Sequence, residues 1–410
     1  MVSIAYMDPG NYGTDLGAGF GYKYELLWAV WLASGMAMIL QYQSGKLGIA
    51  TGFSLPEMVR RSLVRRVFVV PYWVAAEAAA AATDLAEYLG TVIALNLLFG
   101  VPLLYAAIFG AFDVLIIMTM MTRRFRIIEQ FFMLFVTVLV VGILYNLVIV
   151  GPDIGEVLYH SVVPSAPDGN ALLLVVGIIC ATVMPHALFV HSWLSKNKMG
   201  IAGRRIPKAI ITGSSDSNEN DFQFSEEAKQ RVRRIHLWET VVFLSIAGVV
   251  NAGILLVSTP LFPSQELTIN EFVQGVSQIF GAFVGLIFVL TLLASGLTSS
   301  TLGTIAGQVI MEGLIGKRWN IWARRIVTRF VNVFPTTIAI LLGLDPLGLL
   351  VYSQVILSIM IPLPMIPLVY YSSRRKFMGG FVNRRITTVF TVISVSLILG
   401  FNTYLLLSFL

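Results

Sequence analysis

The sequence predicts an all-α protein that crosses a membrane many times. Of its 410 residues, 57% are hydrophobic and 12% are charged, and this charged share is about half of that in a typical soluble domain. The hydrophobic residues form long continuous runs rather than the alternating segments of about ten residues found in outer-membrane barrels. Cys180 is the only cysteine, which excludes an intrachain disulfide and a thiolate metal cluster.

The apolar runs predict eleven membrane spans, several of them long enough to tilt in the bilayer. Basic residues set the orientation, because short inner loops are enriched in Lys and Arg. Of the 28 basic residues only Lys23 lies outside if the N-terminus is inside. We therefore expect a multi-pass protein of a bacterial-type plasma (inner) membrane, with a cytoplasmic N-terminus and an outer C-terminus. The spans lie approximately at 1–20, 26–48, 69–97, 101–121, 127–150, 171–195, 237–258, 277–312, 321–342, 346–372 and 386–409.

Span one is interrupted by the stretch Asp8-Pro9-Gly10-Asn11. A charge at membrane depth is costly, so it indicates a functional site. Pro9 and Gly10 break the helix, and Asp8 and Asn11 offer oxygen ligands beside the break. The carbonyl of Ala5, one turn earlier, is left without its helical partner. The alternative is an extramembrane helix start, with Asp8 as N-cap and Pro9 at the first helical position.

Seven residues precede Asp8. As a helix they extend roughly 10 Å, which is too short for the first half of a broken span. We therefore expect that a segment upstream of residue 1, absent from this sequence, completes span one.

Span six is interrupted at Met184-Pro185-His186. Pro185 has no N–H and its ring clashes with the carbonyl of Ala181, which becomes a free acceptor beside Met184. Spans one and six are five spans apart, so the second half runs in the opposite direction across the membrane. Paired breaks at matching positions predict an inverted-repeat transporter with its site between them. The predicted units are spans one to five in residues 1–150, spans six to ten in residues 171–372, and an eleventh span at 386–409.

Met184 decides which cation the two breaks predict. Mg²⁺ and Ca²⁺ prefer oxygen ligands alone, whereas a thioether suits softer metals. A carboxylate, a carboxamide, two carbonyls and a thioether therefore favour Mn²⁺, Fe²⁺, Co²⁺ and, as a toxic passenger, Cd²⁺. The alternative for Met184 is a packing methionine.

Titratable side chains in three spans predict proton movement. Asp84 and Glu87 of span three are three residues apart and share a helix face, which suits a proton carrier. Arg324 and Arg325 begin span nine, either as positive-inside anchors or with one of them turned inward to Asp84. His186 of span six can relay protons or be hydrogen-bonded within the bundle.

The second histidine of span six, His191, has the same two interpretations. His186 and His191 are five residues apart and therefore lie on different sides of a helix, unlike the zinc ligands of an HExxH motif. An intramembrane zinc protease is thus excluded. The polar segment 196–236 predicts a mobile cytoplasmic loop that meets anionic lipid, and the small residues of 294–307 predict close helix packing.

The chain resembles the Nramp family of proton-coupled divalent metal transporters. Two specific motifs, one at each helix break, carry most of this resemblance, and further matches extend over nearly the whole chain. The matching segments are Tyr6–Asn11, Ala181–His186 with His191 and Ser192, Ala82–Glu87, Arg324 and Arg325 with Thr328 and Arg329, Ser353–Ser358, Gly48–Gly52 and Ala306–Gln308.

The resemblance implies a LeuT-like fold of five plus five inverted helices with an eleventh helix, and proton-coupled uptake of Mn²⁺ or Fe²⁺ without a resident cofactor. Metal ligation is implied for five groups: Asp8, Asn11, Met184 and the carbonyls of Ala5 and Ala181. Relatives that carry Mg²⁺ lack the methionine.

The resemblance also implies a proton route. This route includes Asp8, Glu87 and His186 and leads toward Asp84 and Arg325, with Arg324 and His191 as further candidates. One departure concerns span ten, where Met360 stands at a position that is usually Gln in the family. We therefore expect span ten to lack an amide ligand, with the Met360 thioether as a candidate in its place.

Several other functions remain as alternatives. A cation-coupled amino-acid carrier on the same fold would present backbone N–H groups to a carboxylate, whereas Asp8 repels one. A Mg²⁺-carrying relative conflicts with Met184. A membrane enzyme that uses His186 and His191 lacks a nearby general base, and nothing indicates the symmetric pore of a channel. The expected partners are a divalent metal ion, protons and lipid, without nucleic acid, and the expected state is a monomer.

Overall fold

The structure is a computed structural model that describes residues 8–63, 66–112, 125–205, 226–261, 268–317 and 319–408. These ranges are helical apart from short connections, and they contain no strand. The predicted loop residues 206–225, and Ala5 at the first break, lie outside the described residues.

The helices follow one another along the chain with two short 3-10 turns, at Thr259–Leu261 and Gly379–Phe381. In the described residues they are α1 (Pro9–Tyr22), α2 (Leu27–Thr51), α3 (Leu55–Ser62), α4 (Arg66–Phe99), α5 (Leu103–Gly110), α6 (Phe125–Val150), α7 (Ile154–Val162), α8 (Gly169–Val183), α9 (Pro185–Arg205), α10 (Glu226–Ser258), α11 (Ile269–Phe280), α12 (Ala282–Ile315), α13 (Ile321–Leu341), α14 (Pro346–Ser358), α15 (Pro362–Ser372), α16 (Arg375–Met378) and α17 (Arg385–Ser408).

A helix or a pair of helices occupies the described part of each predicted span. Span six consists of α8 and α9, and span ten consists of α14 and α15, which meet at an angle of 40°. Span eight differs from the prediction, because α11 ends at Phe280 and α12 begins at Ala282. Gly281 separates the two helices with φ +98°, a backbone conformation that other residues rarely adopt.

Length and hydropathy identify five helical segments of the described residues as candidate membrane spans, one of them formed by α8 and α9 together, or seven if each strongly bent pair is also counted as one span. The helix α1 has 14 residues and is too short to qualify alone. The helix α2 carries Gln41, Gln43 and Lys46, all of them buried. The polar groups that lower the hydropathy of these helices thus face the inside of the bundle.

Large apolar side chains cover the outside of the bundle. Val148 is 79% exposed, Val67 74%, Phe330 72% and Ile386 70%. In water such a surface would drive association, whereas in a bilayer it faces lipid. The arrangement of apolar residues outside and buried polar residues inside fits a membrane protein.

The helix α1 lies at the centre of this bundle. Every one of its residues is buried, and it is surrounded by α4, α8, α10, α12 and α14. The start of α1, at Asp8 and Pro9, is therefore enclosed by other helices.

A buried hydrogen-bond network attaches the eleventh span to the rest of the bundle. Oε1 of Gln43 on α2 accepts from Ser372 Oγ at 3.0 Å and from Asn383 Nδ2 at 3.1 Å. Nε2 of Gln43 donates to Thr391 of α17, and Lys46 donates to Asn383. These contacts position α17 against α2.

Candidate metal site and charged network

Asp8 forms the N-cap of α1 and is completely buried. Its Oδ1 accepts from the backbone N and from Nδ2 of Asn11, both at 3.0 Å. Pro9 occupies the first helical position, where its missing N–H costs nothing. The capping geometry considered as an alternative is therefore present, but at the centre of the bundle rather than outside the membrane.

The second break lies beside the first. Thr182, near the end of α8, donates from Oγ1 to Oδ1 of Asn11 at 3.3 Å. The helix α8 ends at Val183 and α9 begins at Pro185, which confirms the predicted interruption at Met184. The carbonyl of Ala181 precedes Pro185 by four residues and cannot receive a helical hydrogen bond from it.

Met184 has φ +42° and ψ +109°, a left-handed backbone conformation for a residue with a side chain. Such a conformation costs on the order of 1–3 kcal/mol and persists only where the surrounding structure fixes it, often at functional sites. The Met184 side chain is 1% exposed. The strained backbone thus places a thioether inside the bundle, at the break.

A third helix, α14, reaches the break through Gln354. A Cβ added at Gly10 would lie 2.2 Å from Nε2 of Gln354, so the absent side chain makes room for this amide. Within the described residues, Oε1 of Gln354 has no hydrogen-bond partner. A different amide of span ten, that of Gln354, thus approaches α1, and whether Gln354 or Met360 meets the cargo stays a prediction. Met360 lies half-buried between α14 and α15.

These donors include one carboxylate. In the described ranges no group of three or more His, Cys, Asp or Glu side chains could hold a metal ion. A metal at the two breaks would therefore depend on Asp8 together with neutral oxygen and sulfur donors.

Asp84 on α4 is held by two residues of α13. Arg325 donates from Nη1 to Oδ1 of Asp84 at 2.6 Å, and Asn332 donates from Nδ2 to Oδ2, also at 2.6 Å. Ser300 on α12 accepts from Arg325 and, at 3.0 Å, from Nη2 of Arg329. Of the two arginines considered for Asp84, the structure thus places Arg325 there.

Arg324 pairs with a different acid, Glu77 of α4, to which the sequence assigned no role. Trp73 donates from Nε1 to Oε1 of the same carboxylate at 3.0 Å. The pair lines a cavity of about 150 Å³ between α4, α12 and α13, whose wall also includes Arg325. Two ion pairs therefore join α4 to α13 side by side.

Glu87 lies one turn beyond Asp84, and its Oε2 has no hydrogen-bond partner among the described residues. A Cβ added at Gly303 of α12 would lie 2.8 Å from this oxygen and 3.6 Å from Oδ1 of Asp84. The small residues of α12, predicted to serve helix packing, thus also make room for the two carboxylates. His186 of α9 is buried, and neither ring nitrogen has a partner in the part of the chain that the structure describes.

His191 lies apart from the carboxylates of α4. Its Nδ1 is 3.1 Å from the carbonyl oxygen of Gln41 on α2, and its ring meets that of His236 on α10 edge to face, with centroids 5.4 Å apart. The observed surroundings of His191 are therefore α2 and α10.

A second cavity, of about 430 Å³, lies at the C-terminal end of α1. Tyr22, Asn170 and Asp345 contribute polar groups to its lining. Burial raises the pKa of the Asp345 carboxyl above its usual value of 3.8, while the hydrogen bond from the Gly348 backbone N–H opposes this rise. This cavity lies on the side of the bundle that the distribution of basic residues predicts to be outside.

Comparison with known proteins identifies the family. The profile described as "Natural resistance-associated macrophage protein-like" (Nramp) matches residues 1–408. The chain belongs to the Nramp family. It is 38% identical over 410 residues to a protein of Acidiphilium cryptum named divalent metal cation transporter MntH, covering 99% of this chain and 88% of that protein. A protein of the same name from Granulibacter bethesdensis is 36% identical, covering 99% of this chain and 86% of that protein.

Solved structures confirm the predicted fold of this Nramp chain. A crystal structure of the Eremococcus coleocola manganese transporter matches with a TM-score of 0.83 and 29% identity, covering 98% of this chain and 83% of that chain. Mhp1, a nucleobase-cation-symport-1 family transporter with a LeuT-like fold, matches with a TM-score of 0.63 at 14% identity, covering 98% of this chain and 91% of that chain. The latter likeness concerns the fold alone.

Three side chains at the candidate site and in the charged network of this Nramp chain were not predicted from the sequence. Gln354 lies in the matching segment Ser353–Ser358, six residues before Met360. Its presence as an amide inside span ten was the one indication that the sequence offered. Thr182 also lies in a matching segment, Ala181–His186, but without an assigned role, and Asn332 was detectable only as a polar residue inside an apolar span. Their partners lie 171 and 248 residues away in sequence, so the spacing of motifs does not reveal them.

Proposed function

We propose that this Nramp chain imports divalent transition metal ions, Mn²⁺ or Fe²⁺ and also Co²⁺ or Cd²⁺, together with protons. The observation that carries this proposal is the completely buried Asp8 at one helix break, joined through Asn11 and Thr182 to the break at the buried Met184. The relatives named divalent metal cation transporter and the manganese transporter from Eremococcus coleocola support the class of cargo.

In this proposal the metal exchanges most of its water for protein donors at the two breaks. Asp8 supplies the charge through Oδ2, since Oδ1 is engaged by Asn11. Asn11, the Ala181 carbonyl and Met184 complete the set, with the Ala5 carbonyl as a further proposed ligand. Gln354 can contribute its amide oxygen from α14, and Met360 remains a candidate from the sequence.

Met184 accounts for the proposed selectivity. Ca²⁺ and Mg²⁺ gain little from a thioether and prefer sites made of oxygen alone. Softer divalent ions tolerate or favour sulfur. Packing alone does not require the strained backbone of Met184, which favours a ligand role for its side chain.

Proton coupling follows from the chemistry of Asp8. A carboxylate must be deprotonated to ligate a metal, so binding releases a proton. Glu87 and His186 are buried groups that can receive it, and Asp84 with Arg325 lies beyond them. Arg324 with Glu77 lines the adjacent cavity and is a candidate for the last part of the route, whereas His191 is a further candidate within α9.

Transport by alternating access requires that the two breaks open to one side at a time. In this proposal the hinges are the extended residue Asp8, at which α1 begins, and Met184, which separates α8 from α9. We further propose that residues 1–150 and 171–372 form the two inverted halves. The inner positions of the basic residues favour a plasma-membrane protein, functioning as a monomer, with its N-terminus in the cytoplasm.

Replacement of Asp8 by Asn tests the site. Asn keeps the helix cap but removes the charge, so we expect Mn²⁺ uptake into proteoliposomes to fall at least a hundredfold. Asp15→Asn is the matched control, since Asp15 is equally buried on α1 but lies about 10 Å further along the helix. Uptake unchanged in Asp8→Asn would contradict the assignment.

Calorimetry of the purified protein separates the rival functions. Titration with Mn²⁺, Mg²⁺ and a panel of amino acids should give binding in the micromolar range for Mn²⁺ alone. An amino acid that binds while Mn²⁺ does not would identify an amino-acid carrier on the same fold, and equal binding of Mg²⁺ would identify a magnesium transporter.

A further inference from the structure

Asn332 gives Asp84 a second partner that is distinct from the ion pair. Its Nδ2 donates to Oδ2 of Asp84 at 2.6 Å, while Nη1 of Arg325 donates to Oδ1 at the same distance. Arg325 and Asn332 are seven residues apart, which places them two turns apart on one face of α13. Both carboxylate oxygens of Asp84 thus accept hydrogen bonds from the same neighbouring helix, α13.

The position of Asn332 on α13 is unusual for a polar residue. Its neighbours Phe330 and Val331 are 72% and 55% exposed and face away from the bundle, whereas Asn332 is 3% exposed. A buried amide in a membrane span is costly unless it is hydrogen-bonded. The contact with Asp84 satisfies its N–H group and accounts for its presence.

The charged and titratable groups around Asp84 come from three helices. Arg325 and Arg329 lie on α13, Glu87 lies on α4 itself, and His186 lies on α9. The adjoining face of α12 contributes Ser300 and the backbone at Gly303, which carry no charge. Asn332 differs from all four charged or titratable groups, because its amide neither takes up nor releases a proton.

This chemistry makes the contact sensitive to the arrival of a proton. The amide N–H of Asn332 can only donate, and Oδ2 of Asp84 accepts it as an unprotonated oxygen. A proton that arrives on Oδ2 meets the hydrogen already directed at that atom, so the hydrogen bond weakens. The proton and the α4–α13 contact therefore compete for one oxygen atom.

Resting on the proton coupling of the proposed function, we propose that Asn332 is a positioning residue that links protonation of Asp84 to the contact between α4 and α13. Arg325 holds the carboxylate near α13 in either state. The hydrogen bond from Asn332 Nδ2 holds it firmly when Oδ2 carries no proton and weakly when Oδ2 is protonated. Loss of the amide would leave metal binding at the breaks intact but would uncouple proton transport from metal transport.

The test measures metal uptake and proton influx together in proteoliposomes that contain a metal-sensitive and a pH-sensitive dye. Asn332→Leu removes the donor at nearly constant size. We expect protons moved per Mn²⁺ ion to fall about tenfold, as for the loss of one hydrogen bond to a charged group. The KM for Mn²⁺ should change less than twofold, and Asn332→Gln, which retains an amide, should restore the ratio.

Thr336→Val is the matched control. Thr336 is buried one turn further along α13, and its hydroxyl donates to the carbonyl of Asn332 at 2.9 Å. The variant removes a polar group from the same helix face without touching Asp84, so its proton-to-metal ratio should equal that of the unmodified protein.

Two results would overturn the inference. One is an unchanged ratio in Asn332→Leu; the other is loss of calorimetric Mn²⁺ binding in that variant, which would make Asn332 a residue of folding alone. A different result, Mn²⁺ uptake without proton influx in the unmodified protein, would refute the proposed proton coupling itself and is visible before any variant is made.

Discussion

The contact between Pro9 and Gly90 provides a direct test of how α4 positions the first helix break. A Cβ added at Gly90 would lie 2.3 Å from both Cβ and Cγ of Pro9. Carbon atoms in contact are normally about 3.5–4.0 Å apart. The ring of Pro9 or the backbone of α4 must therefore shift by about 1 Å or more in Gly90→Ala. Because Pro9 is rigid and directly follows Asp8, the shift reaches the carboxylate.

The size of the effect follows from the energy of overpacking. An extra methyl group in a close-packed interior costs about 1–3 kcal/mol. If relaxation moves Asp8 out of position, that cost appears in metal binding, where it corresponds to a Kd that is about 5- to 150-fold higher. We therefore expect Mn²⁺ affinity, measured by calorimetry in detergent, to weaken by about tenfold or more in Gly90→Ala.

Gly35→Ala on α2 is the control, because a Cβ there would meet no atom within 4 Å. Both substitutions gain the same helix propensity, about 1 kcal/mol over glycine, so the difference between them isolates the contact with Pro9. Gly35→Ala should bind Mn²⁺ normally. If Gly90→Ala also binds within twofold of the unmodified protein, the packing of Pro9 on α4 does not position Asp8 and the reasoning fails.

Two further variants address selectivity and stability. Met184→Ala should bind Mn²⁺ more weakly and compete less well against Ca²⁺ in uptake assays; unchanged discrimination would make the thioether a packing group. Burial acts to raise the pKa of Glu57, but the hydrogen bonds from Lys196 at 2.8 Å and from the Ser54 backbone N–H at 2.7 Å outweigh it and hold the pKa below the usual 4.5. Glu57→Gln keeps the capping box of α3 but loses the ion pair, so it should cost about 0.5–1 kcal/mol in thermal unfolding at pH 7. Since the folded pKa is lowered, this difference should shrink as the pH falls below about 4.5, and a difference that persists at pH 3 would exclude the ion pair as its cause.

The helix breaks were predictable because their causes are local. Pro185 affects the residue four positions earlier, and Pro9, which lacks an N–H, suits the first position of a helix regardless of its surroundings. The interruption at Met184 is accordingly present where the sequence indicated it. The break at Gly281 was not predicted, since a single glycine in an apolar run is also compatible with a continuous helix.

The choice of partners across the bundle was not predictable in the same way. Arg324 and Arg325 are adjacent and differ by about 100° around α13, so either could face Asp84. The rotation of α13 against α4 decides between them, and it assigns Arg325 to Asp84 and Arg324 to Glu77. That rotation depends on packing over the full length of both helices.

In span ten, the sequence likewise did not predict which residue along the helix would lie next to the site. The sequence directed attention to Met360, because the residue at this position departs from the family. The bend between α14 and α15 leaves Gln354 as the side chain that approaches Gly10. The tilt and depth of a helix determine which of its residues lies next to a site. The spacing of motifs in the sequence does not give either quantity.

The capping role of Asp8 has a mechanical consequence for the cargo. The carboxylate that would meet the metal also fastens the first turn of α1 through the backbone N–H of Asn11. An ion that moves this carboxylate also moves the N-terminal end of α1, because the side chain is hydrogen-bonded to the helix backbone. If the metal binds as proposed, its arrival and departure would therefore tighten and loosen the first turn of α1, the helix at the centre of the bundle.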